Sequence, residues 1–294
     1  MIEISIGTPV YNRAKNIITL YKSLCSQTNQ QFEWIIVDDG SSDDISDTVD
    51  TFEANFKISF IQKKNGGKCS ALNMALKYCK TKWFFVVDSD DYLVPEAVEK
   101  IYKKINMIDE KNNIVGIVAY RKFTNGKISG NQFPKDKLYV GYNELNYHYN
   151  QDGETALIYK TDILKRHKHK VYKDENFLSE EIQYNEIDKE GDLLVLAEPL
   201  IVMEYLENGL TNNYFKNWIN NPKGTKLLLN SKYVSVRKLS KTDIMIKKIK
   251  TLIQFDVLNI YSSNFKMEES PNEFFSICFY PIAFLLRRYI NKRN

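Results

Sequence analysis

The chain has 294 residues, of which 43% are hydrophobic and 27% are charged, a composition typical of a globular protein. Its net charge of +4 does not indicate a protein that binds nucleic acid, and no apolar run reaches the roughly 18 residues that span a membrane. The four cysteines form no C-x-x-C pair and Met1 leads directly into a strand, so the sequence predicts a cytoplasmic protein with reduced thiols and no signal peptide.

The first half of the chain alternates between strand and helix patterns. Strands are predicted at 3–8, 32–37, 58–61 and 83–87, and helices at 16–27, 44–56 and 68–80. Alternation of this kind implies right-handed crossovers and a mainly parallel sheet flanked by helices. The sequence therefore predicts an α/β fold.

The second half is less regular. Strands are predicted at 114–120 and 154–159, with a polar loop at 124–153 and two edge strands at 193–196 and 201–205 on either side of Pro199. Beyond about residue 212 the pattern is helical to the end. We therefore expect a large α/β domain over residues 1–212 and a small helical region over residues 213–294.

Three carboxylates follow the fourth predicted strand within four residues, namely Asp88, Asp90 and Asp91. An Asp-x-Asp pair at the carboxyl end of a central strand lies at the rim where open α/β sheets bind ligands. Such close carboxylates repel each other unless a cation lies between them, and oxygen ligands suit Mg²⁺ or Mn²⁺. The alternative interpretation is an acidic turn, since Asp and Ser are common in turns and N-caps.

Polar or glycine-rich loops also follow the first three strands. They read Thr8-Pro9-Val10-Tyr11-Asn12-Arg13, Asp38-Asp39-Gly40-Ser41-Ser42 and Asn65-Gly66-Gly67-Lys68. Because the carboxyl ends of parallel strands meet at one edge, we expect these loops to converge. Tyr11 can stack on a base, Asp39 can accept the N–H of a uracil, and Gly66 and Gly67 allow close backbone approach. Lys68 offers a cation to a phosphate at a helix N-terminus, so the loops together suit a nucleoside diphosphate.

With these four loops the chain resembles a family 2 glycosyltransferase of the GT-A fold, in particular the small bacterial type of capsule, exopolysaccharide or lipopolysaccharide synthesis. The similarity is specific over about the first 105 residues and looser at 204–213 and 221–224. It implies a Rossmann-like sheet with a nucleotide half at about 1–105 and an acceptor half at about 106–212. The donor-binding residues that it implies are Thr8, Pro9, Tyr11, Arg13, Asp39, Asn65, Gly66, Gly67, Lys68, Asp88 and Ser89.

The resemblance also implies a metal and a catalytic base. Asp88 and Asp90 would hold Mn²⁺ or Mg²⁺, with Asp90 as the more direct ligand. The family inverts the anomeric centre with a carboxylate that acts as general base on the acceptor hydroxyl. Glu180 falls where related sequences place that carboxylate, but this chain reads Ser-Glu-Glu there, which leaves Glu181 as an alternative. Both residues are also explained as first-turn acids stabilised by a helix dipole.

The partners that the resemblance implies are a nucleoside-diphosphate sugar, UDP-linked, and a saccharide or lipid-linked saccharide acceptor. A non-catalytic scaffold protein that binds nucleotide sugar in a membrane synthesis complex is the alternative, because fold alone cannot separate the two. A nucleotidyltransferase is disfavoured, since its usual glycine-rich, basic N-terminal loop is missing.

The tail from Lys241 onward carries nine basic and five acidic residues, so it holds the whole excess charge of +4. An apolar, aromatic run at 274–286 precedes four basic residues, Arg287, Arg288, Lys292 and Arg293. This pattern suits a helix that lies on anionic lipid, which would place the protein at the inner face of the plasma membrane. It suits equally well a helix packed on the catalytic domain or on a second copy.

Overall fold

The computed structural model describes residues 2–109, 112–203 and 214–290, and its first half alternates strands with helices. In chain order the elements are β1 (Ile4–Val10), α1 (Ile17–Cys25), β2 (Phe32–Asp38), α2 (Ile45–Asp50), β3 (Lys57–Gln62), α3 (Lys68–Tyr78), β4 (Trp83–Val86), β5 (Tyr92–Leu93) and α4 (Ala97–Ile105). The predicted elements of this half are confirmed, whereas β5 and α4 were not predicted. Helix α2 is shorter than predicted, and Phe52, which follows it, stacks on Tyr21 with ring centroids 4.0 Å apart.

The second half supplies the remaining strands and most of the helices. They are β6 (Ile114–Phe123), β7 (Tyr139–Val140), β8 (Thr155–Lys160), α5 (Thr161–Arg166), α6 (Glu181–Ile187), β9 (Asp192–Met203), α7 (Tyr214–Asn220), α8 (Pro222–Val234), α9 (Lys241–Tyr261) and α10 (Glu273–Ile290). The two strands expected at 114–120 and 154–159 are confirmed, as is the helical character of residues 214–290. The predicted loop at 124–153 also contains β7 and a π-helical turn, Glu144–His148.

One sheet organises the large domain, with strand order β3-β2-β1-β4-β8-β6-β9-β5 and β7 paired to β9. Strands β1, β2, β3 and β4 are parallel, as expected for the nucleotide half. Strand β8 then runs antiparallel to both β4 and β6. The predicted α/β class is confirmed, and the acceptor half is mixed because β8 enters the sheet between strands of the opposite direction.

The prediction of two edge strands around Pro199 is wrong. Residues Asp192–Met203 form the single strand β9, which is parallel to β6 on one side and antiparallel to β5 on the other. Pro199 has no N–H to give the ladder, and the β6–β9 register shifts beside it, between Ala119 and Tyr120 and again between Tyr120 and Arg121. The irregularity absorbs the proline within a continuous strand. Glu204 and Tyr205 lie outside the described residues, as does the rest of the 204–213 segment.

The helical region has a core of its own, and two residues of the large domain pack against that core. This cluster consists of Trp218, Leu228, Leu229, Phe255, Leu258 and Phe265. Phe177 and Ile182, which flank the predicted base, pack against it. The helical region therefore contacts the large domain at the segment that carries Glu180, and it also contacts Asp192 through Arg237 and Lys238. Its boundary, predicted near residue 212, falls among residues outside the described ranges.

Candidate functional site

The loops after β1 and β2 are tied together by direct hydrogen bonds. The backbone N–H of Asn12 donates to Ser41 Oγ at 2.9 Å, and that of Ser42 donates to Asn12 Oδ1 at 2.8 Å. Asn12 adopts φ 53°, a left-handed conformation that asparagine tolerates better than most residues. These bonds give the two loops one fixed arrangement at the carboxyl edge of the sheet.

Asp39 ties the glycine loop after β3 to the same edge. Its buried carboxylate accepts from Lys63 Nζ at 2.5 Å and from the N–H of Gly67 at 2.7 Å, and Gly66 N–H also points at it. Gly67 has φ +84°, and a Cβ there would lie 2.0 Å from the carbonyl oxygen of Asn176. Glycine is required at this position both by the backbone and by the close approach of the Asn176 segment. Asp39 therefore shapes the loop that was expected to face the nucleotide.

Replacing Asp39 by asparagine is expected to weaken both the fold and donor binding. An amide cannot accept from three donors with the strength of a carboxylate, and Lys63 would keep a charge that is only 13% exposed. We expect the free energy of unfolding to fall by about 2 kcal/mol, the scale of a buried hydrogen bond to a charged group. Denaturant titration and nucleotide titration measure the two effects. Lost stability with unchanged nucleotide affinity would leave Asp39 as a loop anchor alone.

The other residues expected to bind the donor are placed differently. Tyr11 is 51% exposed at the edge, and the half-buried Arg13 donates to the carbonyl of Asn12 at 3.3 Å. Thr8 is fully buried and its hydroxyl oxygen accepts from Trp34 Nε1 at 2.9 Å, so its side chain belongs to the core and a donor cannot reach it. Pro9 in β1 is half-buried and Ser89 is buried. Asn65 Nδ2 donates to the Asp39 carbonyl at 2.9 Å.

Lys68 joins the acidic loop to the second half of the chain. Its Nζ lies 2.7 Å from Asp88 Oδ1 and 2.9 Å from Glu180 Oε1. Burial by itself lowers the pKa of Lys68, but the two carboxylates outweigh it and raise that pKa, so Lys68 stays protonated. Lys68 thus forms ion pairs with both the predicted metal ligand, Asp88, and the predicted base, Glu180.

In the acidic loop, burial and neighbouring carboxylates outweigh the nearby cations at Asp90 and Asp91 and raise the pKa of both. Burial raises the pKa of Asp88, but Lys68 and Arg121 outweigh it and hold that pKa below its usual range. Burial and the charge of Asp88 raise the pKa of Asp90. Asp91 is buried against Arg121, with 2.8 Å between Asp91 Oδ2 and Arg121 Nη1. The loop therefore holds an ionised Asp88 beside a half-buried Asp90 that a further cation would stabilise.

Arg121, a member of this cluster, was not predicted from the sequence. It lies in β6, and its Nη1 is 3.8 Å from Asp88 Oδ2 and 3.3 Å from Glu154 Oε2. The signal was present in the chain, because a basic residue directly follows the buried apolar run of that strand. A charged residue at the carboxyl end of a buried strand lies at the ligand-binding edge of the sheet, as Asp88 does.

Glu180 and Glu181 point to opposite sides of the α6 N-terminus. Glu180 reaches Lys68, and its Oε2 accepts from the hydroxyl of Tyr184 at 3.1 Å. Glu181 pairs instead with Lys232 Nζ of α8 at 3.0 Å. Of the two glutamates, Glu180 is the one that the structure brings to the acidic loop.

The residues present fit a divalent metal ion whose coordination is completed by oxygen atoms of a bound ligand. In the described part of the chain, no group of three or more His, Cys, Asp or Glu side chains is arranged to hold an ion. Asp88 and Asp90 instead offer two carboxylates, and burial together with the charge of Asp88 raises the pKa of Asp90. Mg²⁺ and related ions commonly take one or two protein carboxylates and complete their coordination with phosphate oxygens and water. The donor set thus suits a divalent ion that arrives with a diphosphate.

Comparison with known proteins agrees with this geometry. Residues 5–171 match the family model described as Glycosyl transferase family 2. Over 143 residues the chain is 34% identical to an uncharacterised glycosyltransferase of Rickettsia conorii. That match covers 45% of this chain and 23% of the relative, so the chain corresponds to less than a quarter of the relative's length.

Two solved structures share the fold. The S. aureus protein TarS, residues 1–349 in complex with UDP-GlcNAc, has a TM-score of 0.59 at 18% identity, covering 91% of this chain and 82% of that one. The mannosyltransferase PcManGT from Pyrobaculum calidifontis, solved with GDP-Man and Mn²⁺, has a TM-score of 0.57 at 16% identity, covering 98% of this chain and 79% of that one. The likeness extends over nearly the whole chain, including its helical region.

Proposed function

Because the chain belongs to glycosyl transferase family 2, we propose that it transfers a sugar from a UDP-sugar donor to an acceptor hydroxyl. The transfer inverts the configuration of the anomeric carbon. The acceptor is a saccharide or lipid-linked saccharide in the synthesis of a cell-surface polysaccharide. The transferred group is a hexose or an N-acetylhexosamine. TarS with UDP-GlcNAc and PcManGT with GDP-Man share the fold and support a nucleotide-sugar donor.

One observation carries this proposal: Lys68 lies within 2.9 Å of both Asp88 and Glu180. It joins the acidic loop of the nucleotide half to a carboxylate from the acceptor half. A transferase needs a cationic group beside its leaving diphosphate and a base beside its acceptor, within the length of one sugar. The three side chains supply that combination at the edge where the loops converge.

The reaction follows from these positions. Tyr11 at the exposed edge offers a ring on which the base stacks, and the Gly66–Gly67 backbone allows close approach of the diphosphate. Glu180 accepts the proton of the acceptor hydroxyl as its oxygen bonds to the anomeric carbon, while the bond from that carbon to the diphosphate oxygen breaks. Lys68 neutralises charge that develops on the departing diphosphate. A single displacement of this kind inverts the anomeric centre.

Asp88 and Asp90 would hold the divalent ion, Mn²⁺ or Mg²⁺. When bound, the ion supplies further positive charge at the diphosphate. Asp88 stays ionised beside Lys68 and Arg121, and the ion would add to the positive charge that Arg13 and Lys68 bring to Asp90.

The proposal is tested by incubating the protein with UDP-sugars, with and without Mn²⁺, and following the release of UDP and the anomeric configuration of the product. We expect UDP release that depends on metal and a product of inverted configuration. Retention of configuration would contradict a single displacement assisted by one base. Binding of donor without any turnover would indicate a scaffold protein instead of an enzyme.

We also propose that α10 holds the enzyme on an anionic membrane surface. Phe274, Ile277 and Leu285 on its outer side are 71%, 58% and 63% exposed, while Ser276 and Ala283 are fully buried on its inner side. A helix that is apolar on its outer side suits an interface with lipid or protein. In the sequence Arg287, Arg288, Lys292 and Arg293 come next, which favours anionic lipid, although Lys292 and Arg293 lie outside the described residues. Among the described helices none is long and apolar enough to cross a bilayer.

Changing Phe274 and Leu285 together to serine is expected to lower binding to phosphatidylglycerol vesicles by roughly tenfold or more, since each exposed side chain contributes apolar area. Vesicle co-sedimentation measures the effect. Met107→Ser, which removes an apolar side chain that is 57% exposed outside α10, serves as the control and keeps full binding. If the wild-type protein does not bind vesicles but dimerises through α10, the assignment of α10 as a membrane-binding helix is wrong.

A further inference from the structure

The loop that carries Glu180 is held by the helical region as well as by the N-terminal end of α3. Residues 173–179 form no helix or long strand. The N–H groups of Asn176 and Phe177 both donate to Asn221 Oδ1, at 3.2 Å and 3.1 Å. Asn221 is the N-cap of α8, so a residue of the helical region fixes the backbone of the loop just before Glu180.

Glu175 makes the reciprocal contact. Its carboxylate accepts from the N–H of Lys223 at 2.7 Å and from the N–H of Gly224 at 2.8 Å, and it is 7% exposed. These are main-chain donors in the first turn of α8, which have no partner within the helix itself. A Cβ on Gly224 would lie 3.1 Å from the carbonyl oxygen of Phe177, so glycine permits the close approach. We call this pair of contacts, Glu175 with α8 and Asn221 with the loop, the clasp.

The other side of the loop lies against the Gly67–Lys68 segment. The carbonyl of Asn176 occupies the space that a Cβ on Gly67 would need, and Cys69 Sγ donates to the carbonyl of Leu178 at 3.2 Å. The loop is therefore enclosed between the segment that bears Lys68 and the N-terminus of α8. A loop fixed on both sides has one position, and that position sets the distance between Glu180 and Lys68.

We propose that Glu175 and Asn221 are positioning residues, through which α8 places Glu180 for the transfer reaction. This inference rests on the proposed role of Glu180 as base. Neither side chain contacts the acidic loop, so each acts on turnover by holding the loop that carries Glu180. The Asn221–Gly224 segment, which sequence analysis noted as a loose family match, thereby gains a physical role.

Glu175→Gln tests the proposal. A glutamine has one acceptor oxygen and one NH₂ donor where the carboxylate has two acceptors, so one of the two N–H groups faces a donor. We expect kcat to fall by roughly tenfold to a hundredfold, the scale for a catalytic group displaced by about an ångström. The KM for the nucleotide sugar should stay within about twofold, because Asp39 holds the Gly66 and Gly67 backbone independently of Glu175.

Asp174→Asn is the matched control. Asp174 is adjacent in the chain and also binds Lys223, but through side chains that are 63% and 53% exposed, at 2.6 Å. An exposed ion pair contributes little, so this variant should keep the wild-type kcat. Should Glu175→Gln fail to fold, Asn221→Ala tests the same clasp, and Asn221→Asp, which keeps an oxygen for both N–H groups, should restore turnover.

A double variant separates positioning from a general loss of structure. If Glu175 acts through Glu180, adding Glu175→Gln to Glu180→Gln should slow turnover no further. Additive losses, or an unchanged kcat in Glu175→Gln, would overturn the proposal while leaving the proposed function intact. An unchanged kcat in Glu180→Gln alone would instead overturn the assignment of the base, on which this inference depends.

Discussion

Replacing Glu180 by glutamine is expected to lower turnover by roughly a hundredfold or more, the usual scale for removing a positioned general base. The amide keeps the shape of the side chain and an oxygen that can face Lys68, but it cannot take the proton of the acceptor hydroxyl. Donor affinity should largely remain, because Glu180 acts on the acceptor side. Steady-state kinetics with a fixed donor measure kcat, and nucleotide titration measures affinity.

Glu181→Gln is the control for this experiment. Its carboxylate pairs with Lys232 at 3.0 Å on the other side of the α6 N-terminus, away from the acidic loop. We expect it to keep most of the activity. The reversed result, a slow Glu181→Gln and an active Glu180→Gln, would move the base to Glu181. If neither variant slows transfer while nucleotide still binds, the base lies elsewhere.

Asp90→Ala is expected to abolish metal-dependent transfer and to leave the fold intact. Asp90 is half-buried beside Asp88, and burial together with repulsion between the two carboxylates raises the pKa of Asp90. Removing one of two repelling carboxylates therefore costs little stability, but it deletes a ligand for a hard cation. Activity across a Mn²⁺ titration and the melting temperature of the free protein measure the two effects.

The Mn²⁺-dependent rise in melting temperature with UDP gives a readout that is independent of turnover. It should be present in the wild type and absent in Asp90→Ala. Asp47→Ala, which removes an exposed acid from the first turn of α2, should behave as the wild type. Full activity of Asp90→Ala with divalent metal would refute the assignment of Asp90 as a metal ligand.

The nucleotide half could be predicted because its signals are local. Strands β1 to β4 are apolar runs that end in polar loops, and parallel strands bring their carboxyl ends to one edge. The pairing of Lys68 with Asp88 follows the predicted convergence. Thr8 shows the limit of such reasoning, since the same loop sequence does not reveal that its hydroxyl faces Trp34 in the core.

The acceptor half was harder to predict because its contacts join distant parts of the chain. Taken alone, Pro199 predicts the end of a strand, yet β9 continues through it because the pairing of β6 with β9 shifts register beside it. The choice between Glu180 and Glu181 depends on how α6 is turned relative to Lys68 and Lys232, which no short sequence window contains. The clasp between Glu175 and α8 joins segments that are about fifty residues apart, so sequence spacing gives no sign of it.

Calorimetric titration of UDP into the wild-type protein, with and without Mn²⁺, tests whether the carboxyl edge of the sheet holds a metal-dependent donor site. We expect saturable binding at one site with Mn²⁺ and markedly weaker binding without it, because the carboxylates of the acidic loop then repel the diphosphate. GDP should bind more weakly than UDP if Asp39 and Tyr11 face a uracil. Absence of binding by either nucleoside diphosphate at any Mn²⁺ concentration would contradict a donor site at this edge of the sheet.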